Sequence, residues 1–338
     1  MRAAPVPIEW SPRFPIFASE SFLRAVGDKY GWLGGIDESG AVKCILPFTL
    51  VRKGFLHMVR FRVETIPVRE GFDIMEERLF LESAMKYFRS IGADIVIPGT
   101  TNAIFRTFPA GADAAPYGSY VIDLNATEDV LWRNIGRIYR QNIATAQRDS
   151  VSVREGLDDL EAAYQLTRDT FRRSDMPFMS RRSYDRFLRG LGENGKLMTA
   201  HYQGVLQSCV AYAFSKRCAY AVYAGNLAAQ HQGANKLIYW EAIRLFKQLG
   251  VQQFDFVGAR LNPEKGSKQE ALNLFKKRFG TTLVRGYMWK YALRPFKSLV
   301  YSYAVRLLRG GDIVDRERHK LRDFADSAAG LREISERA

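Results

Sequence analysis

Apolar and polar residues alternate with two different periods along this chain, and the same order of periods occurs twice. In the first half, two extended runs over Trp32–Phe48 meet at the polar turn 38–40, which predicts a β-hairpin. Apolar residues at helical spacing predict an amphipathic helix over Glu76–Ile91 that ends at Gly92. The apolar run 94–97 then predicts a buried strand.

The second half repeats this order with a further strand after the hairpin. The elements predicted there are a hairpin over Lys196–Ser215, a third strand over Arg217–Ala224, a helix over Leu237–Leu249 and a buried strand over 254–257. The turn glycines and the helix-ending glycines of the two halves are separated by nearly the same number of residues. The pattern therefore predicts an α/β fold built on a duplicated unit. An α/β chain can also produce such an order by chance.

Further elements are predicted between and after the two units. Asn125–Glu128 resembles a capping box, with Glu128 at the third helical position, and one basic helix is predicted from there through Arg148. The remaining predictions are helices over 157–171 and after Ser180, a short helix that ends at Gly280, and a strand over Thr282–Ala292.

These elements suggest two domains, because single hydrophobic cores stop growing at roughly 250–300 residues. The first domain is predicted over 1–135 and the second, with the site, over 136–295, while the C-terminal helix 296–338 is expected to pack back on the first domain. An apolar helical stripe with basic flanks occupies 296–309. Its apolar members are Phe296, Leu299, Val300, Tyr303, Leu307 and Leu308. Such a stripe either docks on its own protein or lies on an anionic membrane.

Composition and charge narrow the class of partner. The chain has 338 residues, of which 47% are hydrophobic and 25% charged, and its formal net charge is +14. The positive charge favours nucleic acid, an anionic membrane surface or a phosphorylated substrate. The three cysteines match neither a metal pattern nor a closed disulfide framework, and the N-terminus lacks the apolar stretch of a signal peptide. A cytoplasmic protein, in contact with the membrane at most peripherally, is expected.

Several common chemistries lack their sequence motifs. The chain contains no phosphate-binding P-loop, no dinucleotide-binding glycine pattern and no nucleophile elbow. Its four histidines are scattered, so no metal site is predicted.

The order of elements in the second half is the layout of a GNAT-type N-acyltransferase. In that layout two central strands splay apart, and the acyl donor lies in the gap with its phosphates at the next helix N-terminus. The residues predicted to bind donor phosphate are Gln230, Gly233, Asn235 and Lys236. The GNAT loop pattern, Q/R-x-x-G-x-G/A, is kept at the first two of these positions, whereas Asn235 replaces the last small residue. An ordinary helix N-terminus explains these residues equally well.

Three segments resemble the FemABX group of aminoacyl transferases, which hold two GNAT-like domains in tandem. They lie within about residues 130–292: Arg140–Val151, which is similar to R-x-x-I-x-x-A-x-x-x-G-V; Tyr223–Asn226 with 235–237 and 240–243; and 254–256 through to Leu274–Gly280. Ser150 replaces the glycine of the first pattern, and Ala144 stands where a basic residue is common. The resemblance implies two tandem GNAT-like domains, each a mixed sheet flanked by helices.

The resemblance also implies site residues and a reaction. It suggests transfer of an aminoacyl group from aminoacyl-tRNA to an amine of a peptidoglycan precursor. Lys276 would then stabilise the tetrahedral oxyanion, with Phe275 beside the terminal nucleotide of the donor. Asp255, at a strand end near the gap, is either the general base or a cap of the next loop.

Other candidate substrate-binding residues surround the same gap. Tyr223 and Asn226 end a strand over it, where they contact substrate or simply pack. Arg137 and Arg140, on the basic helix, suit a phosphate backbone but can equally form a solvated face. Arg278 belongs to the same candidate set.

Three functions remain open. The first is FemABX-like transfer of an aminoacyl or acyl group onto a cell-envelope precursor. The second is acyl-CoA-dependent N-acetylation of an amino sugar in polysaccharide biosynthesis. The third is a non-catalytic nucleic-acid or envelope-assembly binder. No tightly bound cofactor is expected, and aminoacyl-tRNA or acyl-CoA would act as co-substrate.

Overall fold

The computed structural model describes residues 1–321. Its strands are β1 (Arg2–Pro5), β2 (Lys29–Ile36), β3 (Val42–Lys53), β4 (Leu56–Phe61), β5 (Ile66–Pro67), β6 (Ile95–Val96), β7 (Asp113–Asp123), β8 (Ser152–Glu155), β9 (Gly195–Tyr202), β10 (Val205–Phe214), β11 (Cys218–Asn226), β12 (Gln253–Asp255), β13 (Ala259–Arg260) and β14 (Thr282–Ala292). Its helices are α1 (Glu20–Val26), α2 (Ile74–Ser90), α3 (Glu128–Asn134), α4 (Arg137–Arg148), α5 (Leu160–Arg172), α6 (Arg181–Gly190), α7 (Ala234–Gln248), α8 (Lys268–Lys277) and α9 (Pro295–Arg309). A last helix, α10, begins at residue 313.

The predicted α/β class and the two tandem units are confirmed. Both hairpins, both long amphipathic helices and the strand β14 occupy the residues that the pattern predicts. The helices flank a mixed sheet whose order is β1-β2-β3-β4-β6-β14-β7-β12-β11-β10-β9-β8. Short strands β1, β8 and β13, which the pattern did not predict, add to it.

The two units share this sheet through β14. That strand comes from the C-terminal end of the second unit, yet it lies between β6 and β7 and pairs antiparallel with both. Its pairing with β7 extends over nine residues, from Thr282 opposite Val121 to Lys290 opposite Asp113. A domain boundary at 135/136 stays a prediction, and residues 322–338 of the predicted C-terminal helix lie outside the described chain.

A mixed hydrophobic core joins the halves from the other side. Phe17 and Phe22 of the first half pack with Phe187 and Tyr220 of the second. Helix α1 also contacts α6. Burial of aromatic surface on this scale fixes the halves relative to each other, and with them any cleft between them.

The single basic helix predicted through Arg148 is wrong, because the chain forms two helices there. Helix α3 starts at the N-cap Thr127, whose side chain accepts from the Val130 N–H, so the predicted capping box is also wrong. The helix ends where Ile135 becomes extended, and the Gly136 N–H donates to the Arg278 carbonyl (2.8 Å). That bond comes from a segment distant in sequence, so local pattern could not reveal it.

The turn that follows α4 has a left-handed backbone conformation, which glycine adopts most easily. Ser150, which stands where the FemABX pattern has glycine, has a φ of 60°. A left-handed conformation costs a non-glycine residue roughly 1–2 kcal/mol. The turn therefore accommodates serine at some cost in stability.

Strands β11 and β12 part as the GNAT layout requires. They pair in parallel only over Cys218–Tyr220 and Gln253–Asp255. Beyond this, β11 continues to Asn226 while the other chain turns away at Val257 and Gly258, whose φ angles are 41° and 65°. The two strands therefore separate beyond Tyr220 and Asp255.

We predict that Gly280→Ala destabilises the protein more than Gly40→Ala. Both glycines have φ near +80° (75° and 81°), but a Cβ at Gly280 would lie 2.6 Å from Asn134 Cβ, whereas nothing lies within 4 Å at Gly40. We expect about 1 kcal/mol for the strain at Gly40 and about 3 kcal/mol where strain and crowding combine. Chemical denaturation of both variants measures this, and equal losses would contradict the packing of α8 against α3.

Candidate active site

The half-buried Lys276 places its ammonium group at the turn that follows β12. Lys276 is in the last turn of α8, and its Nζ donates to the carbonyl oxygens of Val257 and Gly258. Burial lowers the pKa of Lys276 to about 8, although the charge of Asp255 partly opposes this shift. The residue is a half-buried cation held by two backbone carbonyls rather than a fully solvated surface lysine.

Asp255 supports the same turn from the strand side. Its Oδ1 accepts from the hydroxyl of Ser119 on β7 and from the Val257 N–H (2.7 Å). Burial raises the pKa of Asp255 to about 6, and the two hydrogen bonds and Lys276 act in the opposite direction. The carboxyl group both caps the next loop and titrates just below neutral pH, so the two roles predicted for it are compatible.

The turn between these two groups is strained. Val257 is β-branched and has a positive φ, which is a genuine outlier for such a residue. Strain of this kind persists only where surrounding structure imposes it, and it occurs often at functional sites. A Cβ at Gly258 would lie 2.9 Å from the Tyr117 hydroxyl and 3.2 Å from Thr101 Cβ. The turn is therefore pressed against residues of the first half.

Thr101 also lines a cavity of about 450 Å³ between the two halves. The wall from the first half includes residues of α1, β4 and the loop after β6, and the wall from the second half comes from β11 and α6. Three arginines line it: Arg60, Arg62 and Arg186. Asp28 is the only acid among its described lining residues, and its carboxylate already accepts from the Arg52 N–H (2.8 Å).

Arg62 gives this cavity a positive charge of fixed position. Its guanidinium donates to the Val26 carbonyl (2.7 Å) and the Thr49 hydroxyl (3.1 Å). Burial, together with the like charge of Arg60, lowers the pKa of Arg62 to about 9, so it remains charged at neutral pH. Two confined like charges favour an anionic ligand, because an anion relieves both the repulsion and the lost hydration.

Tyr223 forms part of the cavity wall and lies in the part of β11 that is not paired with β12. Its ring packs edge-on against Phe178 and Phe187 (centroids 5.4 Å and 5.3 Å). Burial raises the pKa of Tyr223, which Arg60 and Arg62 partly offset. The cavity thus combines an aromatic wall with a basic wall.

The predicted donor loop is tied to its own chain. A Cβ at Gly233 would lie 2.1 Å from the Asn142 carbonyl of α4, so glycine is needed there for helix packing. His231 Nε2 is 3.1 Å from Asp149 Oδ2. Gln230 Oε1 and Asn235 Oδ1 are buried and have no hydrogen-bond partner among the described residues. Such orphaned polar atoms are uncommon and favour a ligand or bound water at this loop.

Basic and aromatic side chains cluster beside that loop. Lys236 Nζ lies 5.6 Å and the Arg278 guanidinium 5.7 Å from the centre of the Tyr139 ring. Phe275 packs against the same ring (5.7 Å) and against Tyr239 (5.4 Å). Burial lowers the pKa of Lys236. The neighbouring residues Phe275 and Lys276 therefore contact different parts of the protein. Phe275 packs against aromatic residues beside the loop, and Lys276 binds the strained turn.

Two of the residues predicted to bind substrate form hydrogen bonds within the protein itself. Arg140 Nη1 donates to the carbonyls of Arg133 (2.6 Å) and Ile135 (2.9 Å), which ends α3. Asn226 Oδ1 accepts from the Ser208 hydroxyl (2.8 Å). Arg137 is exposed on α4. Substrate contact by these three residues stays a prediction.

Sequence reasoning missed the first-half residues of the site and Ser119. Arg60, Arg62 and Ser119 lie in strands or loops with no motif, and Ser119 is 136 positions from Asp255. Glu64 was also missed, and burial raises its pKa to about 7. Among residues 1–321, no group of three His, Cys, Asp or Glu side chains is arranged to hold a metal ion. Over the same range, no helix is long and apolar enough to cross a membrane.

Residues 133–266 match the family model described as an acetyltransferase (GNAT) domain. The solved structure of FemX is 13% identical, with a TM-score of 0.63 and coverage of 84% of this chain and 93% of FemX. The chain has a FemX-like GNAT fold. The match of the GNAT domain ends before α8, so Lys276 lies just beyond it.

Two other solved structures agree with this fold. The C-terminal domain of a putative lysylphosphatidylglycerol synthetase from Agrobacterium fabrum is 13% identical, with a TM-score of 0.50 and coverage of 87% of this chain and 93% of that one. A conserved protein of unknown function from Bacteroides thetaiotaomicron is 11% identical, with a TM-score of 0.51 and coverage of 81% and 90%. No curated protein sequence matches the chain. The GNAT domain and the FemX-like fold support an N-acyltransferase.

We predict that Asp255→Asn removes a pH-dependent loss of stability. Because the folded pKa of Asp255 is raised from 3.8 to about 6, the folded state binds more protons than the unfolded state between these values. Stability therefore falls as pH rises from about 4 to about 6, by roughly 2–3 kcal/mol for a shift of about two units. Relative to wild type, Asp255→Asn should gain about that amount across this window in denaturation curves.

Exposed Asp158 provides the control for this measurement. Asp158→Asn should keep the wild-type dependence on pH. If Asp255→Asn follows the wild-type curve as well, the buried carboxyl group does not titrate as the structure indicates.

Proposed function

We propose that this protein transfers an acyl or aminoacyl group from a phosphate-bearing donor onto an amine of an anionic cell-envelope precursor. The observation that carries the proposal is the half-buried Lys276 and the buried Asp255 at one turn, where β11 and β12 part. Thr101, which approaches this turn at Gly258, also lines the cavity between the halves. The GNAT domain match supports acyl transfer in general. The envelope precursor rests on the FemABX resemblance of the sequence.

The chemistry of amide formation suits these two groups. A neutral amine attacks the carbonyl carbon of the donor ester or thioester, so a C–N bond forms and the C–O or C–S bond breaks. Two hydrogens of the Lys276 ammonium are used by carbonyls, and the third is free to stabilise the tetrahedral oxyanion. The Asp255 carboxylate takes the proton that the attacking amine loses and returns it to the leaving oxygen or sulfur, so that the donor departs as an alcohol or a thiol.

The cavity between the halves is the proposed acceptor site. Arg60, Arg62 and Arg186 supply positive charge, and Tyr223 supplies an aromatic face. A phosphorylated sugar or peptide precursor combines an anionic group with polar and apolar surface, which this lining suits. A cavity with this lining, whose wall residue Thr101 also approaches the turn bound by Lys276, argues against the non-catalytic binder.

The donor is proposed to lie at the start of α7. The cationic Lys236 and Arg278 are suited to phosphate there, whereas the unpartnered amide oxygens of Gln230 and Asn235 are suited to accept hydrogen bonds from N–H or O–H groups of the donor. Both acyl-CoA and aminoacyl-tRNA carry such phosphates. Because either donor is made in the cytoplasm, and because Cys44, Cys209 and Cys218 are free thiols, we also propose a cytoplasmic site of action.

One observation favours a second candidate, an acyl-CoA-dependent N-acetyltransferase of an amino sugar. The family match is to acetyltransferases and includes the whole donor loop. Thermal-shift titration with coenzyme A and with uncharged tRNA distinguishes the donors. Stabilisation by coenzyme A alone supports the second candidate, stabilisation by tRNA alone supports aminoacyl transfer, and no effect of either would contradict both.

We predict that Lys276→Ala lowers kcat for acyl transfer about 10²–10³-fold, with little change in KM, because it removes charge that acts on the oxyanion. The neighbouring Lys277 is exposed on α8, so Lys277→Ala is the matched control and should retain activity. Turnover by wild type should rise through about pH 6, as Asp255 loses its proton, and fall above about pH 8, as Lys276 loses its own. A profile without the upper limb would contradict the proposed role of Lys276.

We predict that Arg186→Gln raises the KM for the acceptor about tenfold and leaves kcat nearly unchanged, because one charge-assisted contact with an anion is lost. Arg186 is exposed on α6, so the substitution should not unfold the protein. Arg189→Gln, on the same helix but outside the cavity lining, is the control. Steady-state kinetics with the acceptor varied at saturating donor measure this, and equal effects of the two substitutions would exclude Arg186 from the acceptor site.

A further inference from the structure

Helix α9 presents an apolar stripe to the solvent. The stripe consists of Phe296, Leu299, Tyr303 and Leu307, which are three or four positions apart and so share one face of the helix. Their exposed fractions are between 68% and 78%. The sequence left two interpretations of this stripe open, and the exposure excludes docking of this face on the rest of the described chain.

The opposite face of α9 is the one that docks. Ser298 is buried and donates to the Asp94 carbonyl (3.3 Å), and Lys297 Nζ lies 3.0 Å from Asp94 Oδ1. Tyr301 packs against a small core formed by residues of β4 and β6. The start of the helix is therefore fixed to the first half, and its stripe points away from the described part of the chain.

The chain beyond α9 also holds the helix in place. After two glycines with positive φ, Gly310 and Gly311, helix α10 begins. Lys290 of β14, which is buried, pairs with Asp312 (3.0 Å) and with Asp315 at the start of α10. Anchoring at both ends makes the stripe a fixed feature of the surface.

The surroundings of the stripe are basic. Helix α9 contains no acidic residue, and Arg306 is exposed beside the stripe. The turn between β3 and β4 adds Lys53 and Phe55, and Phe55 is 59% exposed. Lys297 Nζ lies 5.9 Å from the centre of the Phe55 ring, which brings this turn next to the start of α9. Apolar and aromatic side chains flanked by exposed cations, here Lys53 and Arg306, are typical of helices that lie in the interface of an anionic bilayer.

We propose that the α9 stripe and Phe55 bind the surface of a membrane that contains anionic lipids. A second copy of the chain fits the surface less well. Helix α9 has 15 residues, so the stripe is roughly 22 Å long and about 10 Å wide, or on the order of 200 Å². A stable protein interface needs about 800 Å² per partner. Binding to a bilayer needs no such area. The free energy of inserting a few apolar side chains adds to the free energy of attraction between several cations and anionic lipids.

Membrane binding would hold the protein at the surface where lipid-linked envelope precursors are found, yet the proposal does not depend on catalysis. The stripe is on α9, whereas Lys276 and the cavity arginines are on other elements. Failure of the proposed function would leave vesicle binding intact, and failure of vesicle binding would leave donor binding by the GNAT domain intact.

Flotation of the full-length protein with vesicles tests the proposal. Vesicles of phosphatidylcholine alone are compared with an equimolar mixture of phosphatidylcholine and phosphatidylglycerol. We expect wild type to bind the anionic vesicles, to bind neutral vesicles much less, and to dissociate as salt is raised. The double variant Leu299→Ser with Leu307→Ser should bind at least about tenfold less. Arg306→Gln should weaken binding to the anionic vesicles only.

The matched control replaces two exposed apolar residues elsewhere. Met75 and Leu79 are 61% and 51% exposed on α2, so Met75→Ser with Leu79→Ser changes apolar content equally and should bind as wild type. Thermal unfolding of both double variants checks that each is folded. The proposal is overturned if wild type stays unbound on anionic vesicles, or if the stripe variant binds as wild type does. It is also overturned if light scattering reveals a dimer that only the stripe variant dissociates.

Discussion

Two oppositely charged side chains share one strained turn, and the candidate site depends on that arrangement. Val257 donates its N–H to Asp255 and offers its carbonyl to Lys276, with Gly258 supplying the second carbonyl. Burial acts on the two groups in opposite directions, since it raises the pKa of the acid and lowers that of the amine. Their titrations are thereby brought close to neutral pH, where proton transfer between substrate and protein is easiest.

The turn keeps its shape because the two halves of the chain press on it. Ser119 and Tyr117 belong to β7, and β14 pairs with both β7 and β6 in one continuous sheet. Thr101 approaches Gly258 from the same side. A β-branched residue would relax out of a positive φ if these neighbours were absent, because the conformation has no local support. Residues far away in sequence therefore maintain the conformation of the turn at Val257.

The same junction creates the charged cavity. Arg60 and Arg62 follow the course of β4, Arg186 lies on α6, and Tyr223 ends β11. The three arginines belong to no motif, and more than a hundred positions separate Arg60 and Arg62 from Arg186 and Tyr223. The shared sheet and the aromatic core that joins α1 to α6 bring the three arginines and Tyr223 together around one cavity. The first half, whose role the sequence left open, therefore contributes charge to the candidate site.

The sequence by itself determined the elements whose hydrophobic period is strong and local. The hairpins, α2, α7 and β14 follow from alternation and helical spacing, because these patterns reflect which face of each element is buried. The resemblance of sequence motifs predicted the tandem GNAT-like units, and it singled out Lys276 and Asp255 as candidate catalytic residues. Tertiary structure decided the break between α3 and α4, where the Arg278 carbonyl captures the Gly136 N–H. It also decided which face of α9 is exposed, since a helical stripe has the same period whether protein or solvent covers it. Contacts between residues far apart in sequence leave no local period, and the charge, strain and exposure that define this protein's surfaces arise from such contacts.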